Sequence, residues 1–162
     1  ALGAGERGPP LAASGWPRLW QPLGLADASW SLDRPREDGG MELAYCCIHT
    51  SARNMARAAQ MMLQQGQWNG QQVVPADFVK RMTSPNGHVE HYGHGLWMDP
   101  RHSPPFWFMQ GHLGQYAIVV PSRELVIVRL GQWRTKERKR HPSIPEEVYL
   151  YVEEALAMTR PD

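Results

Sequence analysis

Five residues, Gly111-His112-Leu113-Gly114-Gln115, interrupt two runs dense in β-branched residues within the stretch FWFMQGHLGQYAIVVPSRELVIVRLGQ at 106–132. Glycine inside a strand pattern marks a bulge, or a place where another backbone or a ligand comes close. This polar, glycine-bracketed element is the first candidate for chemistry.

Two other clusters invite a functional reading. His88, His91 and His94 in HVEHYGH could be taken for zinc ligands, because imidazole nitrogens bind that ion well. Two successive three-residue steps do not stay on one face of a strand, and Gly93 breaks a helix that would line them up, so no metal site is expected and the three are read as solvated loop histidines. The run WRTKERKRH gathers Arg134, Lys136, Arg138, Lys139 and Arg140, and basic runs can bind phosphates. Glu137 dilutes it, no interleaved aromatics follow, and the net charge of the chain is +1, which favours a solvated surface loop over a nucleic-acid partner.

A nucleophile is harder to find. None of the eight serines, at 14, 29, 31, 51, 84, 103, 122 and 143, begins Ser-x-x-Lys or sits in Gly-x-Ser-x-Gly, and no Tyr-x-Asn occurs. The adjacent Cys46 and Cys47 would close a strained ring and have no distant partner, so buried free thiols are expected.

The elements that position these residues follow from pattern. Residues 1–15 are rich in Gly, Ala and Pro and are expected to form a loose tail, with Glu6 and Arg7 interrupting the apolar core that a signal peptide needs. From residue 16 to 162 the length suits a single folded unit. Trp16, Leu19, Trp20 and Leu23 form an aromatic-rich segment that packs on something larger. A helix is predicted from about Ser51 to Gln65, with Ala52, Met55, Ala59, Met62 and Leu63 at helical spacing, a Thr50 or Ser51 cap and Gly66 as its stop. A turn at WNGQQVV leads to a second helix opened by Pro75. Strands are predicted at 92–98, in FWFMQG, in QYAIVV and in LVIVRL, the last two forming a hairpin through Pro121-Ser122-Arg123-Glu124. A final helix from Pro145 aligns Val148, Val152, Ala155 and Leu156. The fold class is α+β, an antiparallel sheet flanked by helices. No apolar run approaches the roughly 18 residues of a membrane span, and nothing selects a compartment.

Several of these stretches carry a resemblance. GGMELAYCCIHTSARNMARAAQMMLQQGQWNGQQVVPADFV resembles the segment of the β-lactamase and penicillin-binding serine hydrolases that holds a T-x-R-D-x-A-R helix, a Gly-x-Trp-Asn-Gly turn and a Pro-capped helix. YGHGLWMD looks like the family's Tyr-Gly-x-Gly-Trp strand, WQPLGLADASWSLD like its LW-x-PLG loop, and the 111–121 stretch like its Gly-x-x-Gly-Gln-x-x-x-x-x-Pro element. Within the superfamily the chain looks most like carboxylesterases and 6-aminohexanoate-dimer hydrolases related to class C β-lactamases, over most of residues 18–132. Asn54 stands where the family usually has Asp.

The resemblance implies the C-terminal part of a β-lactamase/transpeptidase-like fold, incomplete without an N-terminal half that carries the Ser-x-x-Lys nucleophile and the Tyr-x-Asn base. It implies a serine hydrolase acting on a small ester or amide through an acyl-enzyme, with no cofactor. The alternative is a catalytically inactive ligand- or partner-binding remnant of the same fold. If Met109-Gln110-Gly111 fills the family's Lys-Thr-Gly-like triplet, the backbone N–H of His112 supplies an oxyanion donor, and Met109, Gln110, Gly111, Gly114 and Gln115 line the substrate. A competing register uses the His112 side chain. Met109 in place of lysine removes a charge suited to a β-lactam carboxylate, which favours esters or uncharged amides. With half the fold elsewhere, Trp107, Tyr116, Ile118 and Val120 are expected to leave apolar surface uncovered.

Overall fold

The computed structural model describes residues 15–25, 28–133 and 135–159. The tail expected over 1–15 lies outside them except for Gly15. The chain divides into two compact units, residues 1–54 and 55–162.

In the first unit a helical segment, Trp16–Trp20 in π geometry, runs on into a short α-helix α1 (Gln21–Leu23), and Trp20, Leu23 and Leu25 are buried. Strand β1 (Ser29–Trp30) pairs antiparallel with β2 (Ile48–His49). The Trp30 indole N–H sits between two acceptors, Leu43 O at 2.9 Å and Cys46 O at 2.8 Å, and the ring lies 5.5 Å from Trp20. This pins the 43–47 turn, in which Cys47 takes a left-handed φ of 73°. The expectation of buried free thiols is corrected here. Cys46 and Cys47 are joined by a disulfide, with Cys46 half-buried and Cys47 exposed, because the left-handed turn brings neighbouring sulfurs together.

Helix α2 (Ala52–Leu63) begins where its cap predicts. Ser51 Oγ accepts the Asn54 N–H at 3.3 Å, satisfying one of the orphan amides of the first turn, while the buried Asn54 carboxamide donates to Thr50 Oγ1 at 3.0 Å. Ser51→Ala should therefore cost about 1 kcal/mol of unfolding free energy, read from a urea titration. An unchanged midpoint would show that the cap is not used.

In the second unit Ala59, Met61 and Met62 of this helix are buried, and Gly66 closes its end with φ +85°, its N–H donating to Met61 O at 2.9 Å. A Cβ at Gly66 would meet Val74 O at 2.0 Å. Within the turn predicted at WNGQQVV, a two-residue hairpin joins β3 (Gln67–Trp68) and β4 (Gln71–Gln72), with positive φ at Asn69 and Gly70. Helix α3 (Ala76–Met82) follows with Pro75 as its N-cap, one residue before the expected position.

Four strands make one antiparallel sheet in the order β5-β6-β7-β8, namely β5 (Trp97–Asp99), β6 (Phe106–Gln110), β7 (Tyr116–Val120) and β8 (Leu125–Arg129). The strand expected over 92–98 is shorter than predicted. Gly93 and Gly95 fold 92–97 into a loop, with Gly93 N–H on Leu96 O and an isolated bridge from Tyr92 to Trp97. Gly93 is held so close to Met82 O, 2.2 Å from an added Cβ, that no side chain fits.

Helix α4 (Glu146–Met158) packs on one face of the sheet, where Phe106, Phe108, Tyr116, Ile118 and Val120 meet Val148, Tyr149 and Val152. At its start the buried Glu147 carboxylate accepts the Tyr116 hydroxyl at 2.7 Å, and two residues on Tyr149 OH donates to Asp99 at 2.8 Å. The expectation that Tyr116, Ile118 and Val120 stay uncovered is thus overturned, because α4 covers them. Trp107, on the opposite face by strand alternation, is also buried.

Candidate functional site

The glycine-bracketed element is the β6–β7 hairpin itself, and it gathers all six residues singled out for the site. Met109 and Gln110 end β6 in register with Ala117 and Tyr116, and Gly111 to Gln115 make the connection. Both strand residues are half-buried, and Gln110 Oε1 is a buried acceptor with no partner among the described residues. His112 and Leu113 are exposed at the tip, and Gly114 is buried with φ +85°.

Hydrogen bonding inside the loop decides where its amides point. Gly111 N–H donates to Gln115 O at 2.7 Å, Leu113 N–H to Gln115 Oε1 at 3.1 Å, and Gly114 N–H to Gly111 O at 3.3 Å. The Gly111 carbonyl is therefore turned into the loop. Because a trans peptide sets C=O and N–H in opposite directions, the His112 N–H of the same peptide is turned outward. Among the described residues, the His112 and Gln115 amides have no protein acceptor, and His112 is the exposed one. The arrangement offers a fixed, outward backbone donor, which is what a developing negative charge on a carbonyl oxygen requires.

Gly111 is confined by its own loop. An added Cβ would meet Gln115 Oε1 at 2.6 Å and Gln115 Cβ at 2.9 Å. Gly111→Ala should displace the Gln115 carboxamide from Leu113 N–H and from Gly131 O, the acceptor of its Nε2. Faster amide exchange at Leu113 is the expected readout, and unchanged exchange would contradict the packing argument.

The other clusters fall elsewhere. His88 and His94 are exposed, with His94 Nδ1 3.2 Å from Arg81 O. No group of three metal-binding side chains forms among the described residues. His91 instead stacks on Trp97 and approaches His141, with ring centroids 4.7 Å apart. Of the basic run, Arg134 lies outside the described residues. Lys139 pairs with Glu137 at 2.9 Å, and Arg140 pairs with Glu146 at 2.8 Å and with Glu153, so two of its cations are met by acids.

His141 carries a pH dependence that sequence reading missed. Its Nδ1 accepts the Ser143 N–H at 3.1 Å, a bond that only an unprotonated nitrogen can take. Burial first, and then the neighbouring His91, hold its pKa below the ordinary 6.5, with Asp99 opposing. The folded value being depressed, this stability is fully present above the unfolded value and is lost as pH falls through the folded one. The urea midpoint should therefore drop between pH 7.5 and pH 5, and His141→Gln, which still offers an acceptor but does not titrate, should reduce that drop. An identical drop in the variant would assign it to other groups.

A four-stranded antiparallel sheet backed by a C-terminal helix, with an exposed hairpin amide at one end, places the chain in the α+β class with a β-lactamase-like fold. The chain belongs to the beta-lactamase family, whose family model matches residues 8–147. Among solved structures, a Bacillus anthracis protein provisionally assigned as a 6-aminohexanoate-dimer hydrolase is similar with a TM-score of 0.69 and 21% identity, over 93% of this chain and 38% of that one. A Bacteroides dorei DSM 17855 protein provisionally assigned as a beta-lactamase is similar with a TM-score of 0.53 and 16% identity, over 74% of this chain and 44% of that one. These likenesses show the fold, and the chain spans less than half the length of either protein. Among curated proteins none matches the sequence. No helix among the described residues is long and apolar enough to cross a membrane.

Proposed function

We propose that this chain forms the oxyanion-side wall of a serine hydrolase that cleaves small esters or uncharged amides through an acyl-enzyme. The observation that carries the reading is the outward His112 amide on a hydrogen-bonded hairpin. A serine attacking a carbonyl generates a tetrahedral oxyanion. A backbone N–H already aimed at it stabilises that charge without reorganisation during the step. Met109, Gln110, Gly111, Gly114 and Gln115 shape the rest of this wall. Met109, apolar where the resembled family has lysine, leaves no cation at that position for a substrate carboxylate.

The nucleophile and its base come from an N-terminal part bearing Ser-x-x-Lys and Tyr-x-Asn, which these 162 residues lack. Strand β8 supports such a partner. It is an edge strand of its sheet among the described residues, and an edge presents backbone groups to which another strand can pair. The same missing motifs favour a second reading, a catalytically inactive remnant that binds a ligand on this wall.

Turnover of p-nitrophenyl acetate tests the proposal. The chain alone should match the buffer rate, since a serine hydroxyl without an adjacent base is a weak nucleophile. The complete protein should turn over. A complete protein with both motifs but no turnover supports the remnant, and turnover by the chain alone contradicts both readings.

A further inference from the structure

Resting on that oxyanion reading, we infer that Arg129 is a positioning residue, whose guanidinium holds the 111–115 loop so that the His112 amide faces the reacting carbonyl. Arg129 ends β8 directly opposite Tyr116, the first residue of β7, so its side chain emerges beside the hairpin loop. Its Nη1 donates to Gly114 O, to Trp133 O at 2.7 Å and, more weakly, to Leu113 O at 3.5 Å. Among the described residues no carboxylate pairs with it, so its charge is spent on backbone carbonyls.

The Leu113 and Gly114 carbonyls belong to the peptides that follow His112. Fixing the Leu113 and Gly114 carbonyl oxygens fixes two peptide planes, and the bonds from Gly111 N–H and Leu113 N–H to Gln115 fix two more. The Gly111–His112 peptide is the one between them, and its direction follows from its neighbours. Gln115 Nε2 adds a second tie from the loop, to Gly131 O in the segment after β8. A loop bracketed by two glycines has little stiffness of its own. The clamp from β8 supplies it, and an oxyanion donor has to be rigid to act.

Gly131 gives an independent handle on the same contact. An added Cβ there would lie 2.6 Å from Arg129 Cζ and under 3.0 Å from both terminal nitrogens, Nη1 at 2.8 Å and Nη2 at 2.9 Å. The obstructing atoms are the end of a flexible side chain, so Gly131→Ala moves the guanidinium at little cost to the fold while leaving Arg129 chemically intact.

The test uses the complete protein with p-nitrophenyl acetate and compares Arg129→Ala, Arg129→Lys, Gly131→Ala and His112→Pro. Misplacing a catalytic donor by about 1 Å costs up to roughly 100-fold, so Arg129→Ala and Gly131→Ala should each lower kcat by about 10- to 100-fold with KM little changed. Lysine, a shorter but still multivalent donor, should restore part of the loss. Hydrogen exchange at Leu113 and Gly114 should accelerate in both variants, while exchange along β7 stays as in the parent, which separates a local clamp from general destabilisation. Should Arg129→Ala fail to fold, Gly131→Ala carries the test. Wild-type kcat in Gly131→Ala with an inactive His112→Pro overturns the role of Arg129 and leaves the oxyanion reading standing. Full activity in His112→Pro overturns the oxyanion reading itself.

Discussion

On the proposed function, His112→Pro should lower kcat of the complete protein by roughly 100-fold or more, the scale on which losing one oxyanion donor is felt. Proline removes the N–H that the loop turns outward. His112→Ala keeps that N–H and should lose far less, because the exposed imidazole has no partner among the described residues. The pair of variants separates the two registers open at the sequence level. If alanine is as damaging as proline, the side chain and not the backbone is the working group.

The largest effect on stability is expected at Phe108. It is fully buried between the sheet and α4, with its ring 6.2 Å from Tyr116 and 6.1 Å from Phe106. Phe108→Ala should cost about 3–5 kcal/mol, the transfer free energy of the ring plus the cavity left behind. Equilibrium unfolding in urea measures it. A loss under about 1 kcal/mol would mean that α4 collapses onto the vacated space and that the packing of this face is looser than the structure shows.

What could be read from sequence was what short-range chemistry dictates. A Thr50 or Ser51 cap, Gly66 as a stop, a turn in WNGQQVV and the Val/Ile-rich arms around Pro121 each depend on a few neighbouring residues, and each is where it was expected, with Ser51 as the cap and Asn69-Gly70 as the turn. The β1–β2 pairing was not legible, since two residues per strand carry no periodicity and are joined across the chain by Trp30 and the 43–47 turn. The disulfide was missed for a related reason. Adjacency argues against a ring until a left-handed Cys47 is known to be present. Covering of Tyr116, Ile118 and Val120 depends on α4, more than twenty residues further along, and the amphipathic stripe of that helix gives no indication of which face of the sheet it meets.

At the candidate site, the sequence marked the loop but not its wiring. Gly111 and Gly114 signalled a special backbone, and the resemblance pointed to His112. That the His112 amide is turned outward follows from which carbonyl accepts Gly114 N–H, a through-space fact. Arg129 gave no signal, because an arginine at a strand end ordinarily faces solvent. Its place opposite Tyr116 follows from strand register.

On the proposed function, this chain supplies the oxyanion wall and takes its nucleophile from elsewhere. Fluorophosphonate labelling followed by peptide mass spectrometry tests it most directly. In the complete protein one stoichiometrically labelled serine is expected, within a Ser-x-x-Lys that precedes these residues, and no label on the chain alone. Stoichiometric labelling of any of the eight serines at 14, 29, 31, 51, 84, 103, 122 or 143 would contradict it.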